Sequence, residues 1–133
     1  MVEFIPLAQE ICKSKGLNVI DSNWEVRAEC ETEHKLYDIV ASVHLVEHLV
    51  SPDEGILNML RALRPGGLFY MHTPNGSIDR TANKHWFHYH VEHVSLFSVN
   101  TIQWVMNKFN LELVKYRELY GDDMIIICKK RHD

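Results

Sequence analysis

The sequence predicts an α/β fold with one mostly parallel sheet and an antiparallel hairpin at its C-terminal end. Short apolar segments rich in β-branched residues alternate along the chain with amphipathic segments of helical period. Residues 37–75 have the pattern of a buried strand, a polar loop, a helix and a second buried strand. Two strand-like segments, Leu111 to Leu119 and Met124 to Cys128, flank a turn at Gly121-Asp122, which predicts the hairpin.

The N-terminal elements are predicted from two apolar runs and the helix between them. Val2 to Ile5 is expected to form a strand. Pro6 is expected to open a helix, because proline is favoured at the first helical position, and Gly16 to cap its C-terminal end. Leu17 to Ile20 is expected to form the next strand. The core face of this helix is predicted to carry Leu7, Ala8, Ile11 and Cys12.

The middle of the chain is predicted to contain a buried strand followed by a helix with clear end signals. Leu36 to Ser42 is rich in β-branched residues, as expected of a buried parallel strand. Ser51 is the predicted N-cap, Pro52 the first helical residue, and Glu54 the partner of Ser51 in a capping box. The core stripe of this helix is predicted to consist of Ile56, Leu57, Leu60 and Leu63.

The remaining elements are predicted from turn and cap residues. Pro65 is expected to end the second helix, and Gly66-Gly67 to turn the chain into a buried strand from Leu68 to Thr73. Ser98 is expected to cap a third helix. Phe97 and Ile102 are placed as a hydrophobic staple at its start. The apolar face of this helix is predicted to carry Ile102, Val105, Met106 and Phe109.

Composition limits the classes of function. The 133 residues are enough for one modest core, so a single domain over residues 1–133 is expected. The net charge of −4 and the absence of a basic stripe argue against nucleic acid as a partner. No apolar run approaches the roughly 20 residues that span a bilayer, so no membrane partner is expected. The three cysteines follow no disulfide or metal pattern, which indicates reduced thiols and a cytoplasmic location.

Four segments, taken in order, resemble class I S-adenosylmethionine-dependent methyltransferases that act on small molecules. They are VEFIPLAQEICKSKGLNVI, the residues after Ile20, YDIVASVHLVEHL, and HWFHYHVEHVSLFSVNTIQWVMNKFNLELV. The LRPGG sequence between two strands is the strongest local sign. The resemblance implies a Rossmann-like methyltransferase sheet and a methyl transfer from S-adenosylmethionine, with O-methylation of a small molecule or sugar as the expected reaction.

The resemblance also implies residues for the cofactor. Glu3 would bind the ribose hydroxyls. Asn23, with Asp21 as the alternative, would meet the adenine amino group, and Trp24 would cover the adenine ring.

The third and fourth segments imply the methionine and acceptor sides of the site. Val43 and His44 would lie beneath the methionine part of the cofactor. His48 and His93 are the candidate catalytic residues, because a histidine is a suitable general base for a hydroxyl acceptor. A small-molecule acceptor is the expected partner.

One part of the family pattern has no counterpart in this sequence. The first strand and Gly-rich loop should lie about 20 residues before the ribose-binding acid, but two residues precede Glu3 and none of the six glycines makes a G-x-G. We therefore expect a sheet without the family's first strand and weak or no binding of S-adenosylmethionine by this truncated chain. Unpaired strand edges favour a homo-oligomer.

Two alternatives to an active methyltransferase remain open at this point. His44-Leu-Val-Glu47-His48 fits the H-x-x-E-H motif of a metal-dependent hydrolase, which requires a helix. A milder metal hypothesis places an ion between Glu47, His48, His90 and His93. Hydrogen-bonded histidines without a metal are the favoured interpretation of both patterns. The other alternative is a non-catalytic methyltransferase-like remnant that acts as an interaction module.

Overall fold

A computed structural model describes residues 5–19, 37–77, 92–119 and 123–132. These residues form three α-helices, one short 3-10 turn and four strands. In chain order they are α1 (Pro6–Ser14), β1 (Tyr37–Val43), the 3-10 turn (Val46–His48), α2 (Pro52–Arg61), β2 (Leu63–Pro74), α3 (Val99–Lys108), β3 (Leu111–Leu119) and β4 (Asp123–Lys130).

The four described strands form one mixed sheet in the order β1-β2-β4-β3. β1 and β2 are parallel, and α2 lies between them in the chain. β4 runs antiparallel to both β2 and β3. The predicted α/β class and the predicted C-terminal hairpin are therefore confirmed. The strand predicted from Leu36 to Ser42 is present as β1, but most of its residues are exposed instead of buried, because β1 is an outer strand of the described sheet.

One hydrophobic core joins the sheet to α2 and α3. Alternate residues of β2 and β4 are buried, as expected when one face of a sheet is covered. The helices contribute buried residues at helical spacing, which confirms Ile56 and Leu60 of the predicted α2 stripe and most of the predicted face of α3. Leu57 is exposed and Leu63 belongs to β2, so these two members of the predicted α2 stripe were wrong. The principal members of this core are Ile56, Met59, Leu60, Phe69, Met71, Ile102, Val105, Met106, Met124, Ile126 and Cys128.

α1 begins and ends where the sequence predicts, but its expected core face is exposed. Pro6 occupies the first turn, and Gly16 has a φ of +76°. The nitrogens of Gly16 and Leu17 donate to the carbonyls of Lys13 and Cys12, which is a Schellman end. Leu7 is 66% exposed. The prediction of a buried face was wrong because no described element covers it.

The strand predicted from Leu17 to Ile20 is not formed by its described residues. Residues 17–19 have no strand pairing. The Schellman bond directs the chain away from α1, and no described strand lies beside these residues. Residues 1–4 and 20–36 lie outside the described ranges, so the strand at Val2 to Ile5 stays a prediction.

The Pro-Gly-Gly sequence is part of β2 instead of a turn before it. β2 begins at Leu63, and its register against β1 shifts between the pairs Tyr37–Leu63 and Ile39–Leu68. The extra residues form a bulge that contains Gly66, whose φ is +76°. A Cβ at Gly67 would lie 2.9 Å from the backbone carbonyl oxygen of Arg64, closer than such atoms approach in proteins. Both glycines are therefore required by the bulge.

The two predicted helix caps have different outcomes. Ser98 Oγ accepts a hydrogen bond from the Thr101 nitrogen at 3.2 Å, so this cap is confirmed. Ser51 stands at the N-cap of α2, but its side chain makes no cap hydrogen bond. Its ψ of 78° differs from the 170° of Ser98 and does not direct the hydroxyl onto the helix end. The predicted capping box was therefore wrong.

No helix in the described ranges is long and apolar enough to cross a bilayer.

Candidate functional site

Three strands bring polar residues together at one edge of the sheet. β1 and β2 are parallel, so their carboxyl ends lie at the same edge, and β4 begins there because it is antiparallel. Val43 pairs with His72, and Pro74 pairs with Asp123. Ligands of open α/β sheets bind at the carboxyl ends of strands. This edge is therefore the candidate site.

The chain leaves β1 through a tight bend at His44. His44 has a φ of +46°, a left-handed conformation that non-glycine residues adopt infrequently. Its nitrogen donates to the carbonyl of His72 at 2.9 Å, which continues the β1–β2 pairing by one residue. Such conformations persist where the surrounding structure holds them. The bend places the His44 ring beside the short 3-10 turn of residues 46–48.

Glu47 is a buried carboxylate with a hydrogen bond at each oxygen. It has no exposed surface. Thr73 Oγ1 donates to Oε2 at 3.0 Å, and His44 Nδ1 lies 3.1 Å from Oε1. Burial of a carboxylate is costly unless such partners compensate for the lost water. Glu47 thus connects the loop after β1 to the end of β2 and fixes the His44 ring.

Asp123 contacts both histidines of this strand edge. Its Oδ2 lies 3.2 Å from His72 Nε2 and 3.5 Å from His44 Nε2. The two imidazole rings are in contact, with centroids 4.5 Å apart and ring planes inclined at 56° to each other. All three side chains keep some exposure, from 18% for His72 to 44% for His44. The cluster is therefore open to solvent on one side.

His48 belongs to a second polar group, which it forms with Glu47 and His93. Its Nδ1 lies 3.0 Å from the carbonyl oxygen of Glu92. His93 packs edge-on against His48, with ring centroids 4.7 Å apart. The backbone nitrogen of Ser95 donates to the carbonyl of Glu47 at 3.1 Å, which attaches this segment to the loop after β1. The two histidines singled out as catalytic candidates are therefore neighbours.

The predicted cofactor residues are divided between described and undescribed parts of the chain. Val43 is 55% exposed at the end of β1, beside His44. Glu3, Asn23 and Trp24 lie outside the described residues, as does His90. The structure thus brings together His44, His48 and His93 around Glu47, and the roles assigned to all of these residues stay predictions.

The helix required by the H-x-x-E-H motif is not formed. Residues 46–48 make one 3-10 turn, and His44 precedes it in a left-handed conformation. His44 faces His72 and Asp123, whereas His48 faces His93. The hydrolase hypothesis, which requires His44 and His48 on one helical face, is therefore not favoured.

Sequence reasoning did not select His72, Thr73 or Asp123. Each was assigned only to a strand or turn, and their meeting depends on the pairing register of β2 with β4. One signal was available: His72 and Thr73 end a buried strand, and polar residues there lie at the ligand-binding edge of such a sheet. Asp123 had no comparable signal, because an antiparallel strand starts at that edge.

Comparison with known proteins identifies the family. A family model described as a methyltransferase domain matches residues 4–116. No curated protein sequence matches the chain.

Solved structures of low sequence identity share the fold. A SAM-dependent methyltransferase from Archaeoglobus fulgidus is 17% identical with a TM-score of 0.74, over 97% of this chain and 74% of that one. One from Thermotoga maritima is 17% identical with a TM-score of 0.72, over 98% and 72%. An O-methyltransferase family protein from Burkholderia thailandensis is 17% identical with a TM-score of 0.72, over 93% of this chain but only 40% of that protein. The chain belongs to the methyltransferase domain family and has the Rossmann-like fold of S-adenosylmethionine-dependent methyltransferases.

Proposed function

We propose that this domain takes part in methyl transfer from S-adenosylmethionine to a hydroxyl group of a small molecule or sugar, with His48 as the general base. The family match supports methyl transfer in general. The non-catalytic remnant is not favoured by that match. The choice of oxygen as the acceptor atom is supported by the histidines at the candidate site, since a hydroxyl must lose a proton as it is methylated.

The hydrogen bond of His48 is the observation that carries the proposal. A backbone carbonyl can only accept, so the contact of 3.0 Å with Glu92 requires a proton on His48 Nδ1. In the neutral ring the lone pair is then on Nε2. This is the arrangement of a general base, which needs one nitrogen oriented by a fixed partner and the other available to the substrate.

His93 is proposed to assist His48 by position. Its ring packs edge-on against that of His48, which restricts the rotation of His48. Both rings are only partly buried, so a solvent-borne acceptor can reach this side of the loop. His48 Nε2 would accept the proton that the acceptor hydroxyl loses as its oxygen is methylated. The cofactor would supply the methyl group, and its sulfur would keep the electrons of the carbon–sulfur bond that breaks.

The described residues at the end of β1 fit part of the cofactor. Val43 offers an exposed apolar side chain beside the polar ring of His44. Ser42 Oγ is buried and has no hydrogen-bond partner among the described residues. A ligand with an aliphatic chain and polar amino-acid groups suits this combination. When bound, S-adenosylmethionine supplies an electrophilic methyl group, and Val43 and His44 would lie beside its methionine part, with Glu3, Asn23 and Trp24 proposed for the nucleoside.

We propose that cofactor binding by these 133 residues is weak. The sequence contains no G-x-G, and such a loop normally gives backbone contacts and a helix N-terminus to the ligand. Loss of two or three polar contacts at about 1 kcal/mol each lowers affinity by roughly 30- to 150-fold.

The domain organisation, the oligomeric state and the cellular location expected from the sequence also remain proposals. A single domain over residues 1–133 agrees with the one core shared by α2, α3 and the sheet. A homo-oligomer is supported by the position of β1 at the edge of the described sheet, where Ile39 is 61% exposed. A cytoplasmic location is supported by Cys12 and Cys128, which are both free thiols.

The experiment that tests the proposal measures transfer of a labelled methyl group from millimolar S-adenosylmethionine to a panel of sugars and phenols, each with its amine analogue. His48→Gln is compared with the wild-type chain and with His132→Gln. His132 follows β4 at the opposite end of the sheet and is exposed, so it is a matched control. We expect His48→Gln to lower the rate on a hydroxyl acceptor by about 10²- to 10⁴-fold, and His132→Gln to leave it unchanged.

Two results would contradict the proposal. Equal rates for the two variants would remove His48 as the base. Transfer by the wild-type chain to amines alone, or to no member of the panel, would remove the hydroxyl acceptor.

A further inference from the structure

The cluster formed by His44, His72 and Asp123 has the composition of a metal site. It offers two imidazole nitrogens and one carboxylate oxygen from three adjacent strands or strand ends. One ligand atom from each residue lies within 4.8 Å of the others. This donor set suits zinc and other first-row dications. It differs from both sets of residues that the sequence suggested for a metal.

The distances around Asp123 agree with ligands of one ion. Two atoms bound at about 2.1 Å in a tetrahedral arrangement lie about 3.4 Å apart. Asp123 Oδ2 lies 3.5 Å from His44 Nε2 and 3.2 Å from His72 Nε2. Both contacts of Asp123 are thus already near the required separation, and the ligand atoms of His44 and His72 lie within 4.8 Å of each other.

The hydrogen bond of His44 to Glu47 determines which nitrogen faces the cluster. A carboxylate only accepts, so the 3.1 Å contact places a proton on Nδ1. In the neutral ring Nε2 then directs its lone pair toward Asp123 Oδ2, which also carries lone pairs. Two such atoms repel unless a cation lies between them. A divalent metal ion bound by both atoms would remove this repulsion.

Glu47 is placed as the orienting carboxylate of a metal-bound histidine. Such histidines commonly donate their second nitrogen to a buried carboxylate, which fixes the tautomer and the ring. Glu47 is fully buried and is itself fixed by Thr73 Oγ1 at 3.0 Å. Both of its oxygens are therefore engaged, which favours His44, His72 and Asp123 over Glu47, His48 and His93 as the direct ligands.

The cluster is also accessible. Asp123 and His44 are 26% and 44% exposed, so an ion can enter and retain positions for water or for an oxygen donor. His44 and His72 lie on adjacent paired strands, joined by the hydrogen bond from the His44 nitrogen to the His72 carbonyl. Ligands held in this way by a sheet are well positioned before the ion arrives.

We infer that His44, His72 and Asp123 form a binding site for one divalent transition-metal ion, oriented through Glu47. The site holds three protein ligands and leaves at least one coordination position open. This inference does not depend on the proposed function, because it requires neither cofactor nor acceptor.

The test uses two titrations of the purified, chelator-treated chain. Binding of Co²⁺ is monitored by visible absorption, and binding of Zn²⁺ is measured by calorimetry. Mg²⁺ serves as a control ion that prefers oxygen ligands. We expect one equivalent of Co²⁺ to produce d–d absorption bands, and one equivalent of Zn²⁺ to displace it. Asp123→Asn and His72→Gln should each weaken Zn²⁺ binding at least tenfold.

The control variants are His93→Gln and His132→Gln, which should bind as the wild type does. Circular dichroism shows whether each variant is folded, and Asp123→Asn keeps the size of the side chain. Absence of Co²⁺ bands in the wild type would overturn the inference. Binding that is lost in His93→Gln but kept in Asp123→Asn and His72→Gln would also overturn it.

Discussion

Replacement of Thr73 by valine should expose the energetic role of the Glu47 carboxylate. Both residues are completely buried, and Thr73 Oγ1 donates to Glu47 Oε2 at 3.0 Å. Valine has nearly the same shape but no hydroxyl, so Oε2 would be left in the core without a donor. Such a loss costs about 1 to 3 kcal/mol. We expect Thr73→Val to lower the free energy of unfolding by about 2 kcal/mol.

The assay is urea unfolding at pH 7, followed by circular dichroism, with Thr73→Ser as the control. Serine keeps the donor and loses one buried methyl group, which costs about 1 kcal/mol. The same Thr73→Val change in a Glu47→Gln background should cost about 1 kcal/mol less, because a neutral amide is less costly to leave unpaired than a carboxylate. A Thr73→Val variant as stable as the wild type, or an equal cost in both backgrounds, would show that the Thr73 hydroxyl does not stabilise the Glu47 carboxylate.

Three further predictions concern other parts of the molecule. Burial raises the pKa of Cys128 to about 11, so iodoacetamide at pH 8 should label Cys12 well before Cys128 in the native protein; equal labelling by mass spectrometry would contradict this. The hydrogen bond and charge of Lys108, 2.8 Å away, hold the pKa of Asp53 below its usual 3.8. Because that pKa is lowered on folding, the ion pair stabilises the fold above about pH 4 and does so less as the pH falls. Lys108→Met should therefore lower the free energy of unfolding by at most about 1 kcal/mol at pH 7 and by less at pH 3. A loss of stability that grows toward pH 3 would contradict this prediction. The chain should sediment as an oligomer, and Ile39→Lys on the β1 edge should shift it to a monomer, whereas a monomeric wild type would exclude this interface.

Local signals account for the parts of the fold that were predicted correctly. Proline at the start of α1, the Ser98 cap of α3 and the two strands of the hairpin each depend on residues close together in sequence. The β2 bulge was missed for the opposite reason. Its Pro-Gly-Gly sequence also fits a turn, and only the pairing of Leu63 with Tyr37 places it inside a strand.

The candidate site was predicted only where its residues follow β1 or lie in the segment that resembles the acceptor side of the family. His44 and His48 were selected because they follow a predicted strand and match that resemblance, and His93 was selected from the resemblance alone. His72 and Asp123 meet His44 through strand pairing across 28 and 79 positions of sequence. Neither the spacing of the residues nor their composition indicates that register. The exposure of Leu7 on α1 was unpredicted in the same way, because an amphipathic pattern does not specify what covers it.

Titration of the isotope-labelled chain with S-adenosylmethionine, followed by amide NMR, tests the proposed cofactor position most directly. The method detects weak binding and assigns it to residues. We expect saturable shifts centred on Val43 and His44 at the end of β1, with small changes around His132 at the opposite edge. We also expect a dissociation constant of roughly 0.03 to 0.15 mM, some 30- to 150-fold weaker than a micromolar site. The proposed site would be contradicted if Val43 and His44 showed no shift up to about 10 mM ligand, or if the shifts were centred elsewhere. Micromolar binding would contradict the role given to the glycine loop.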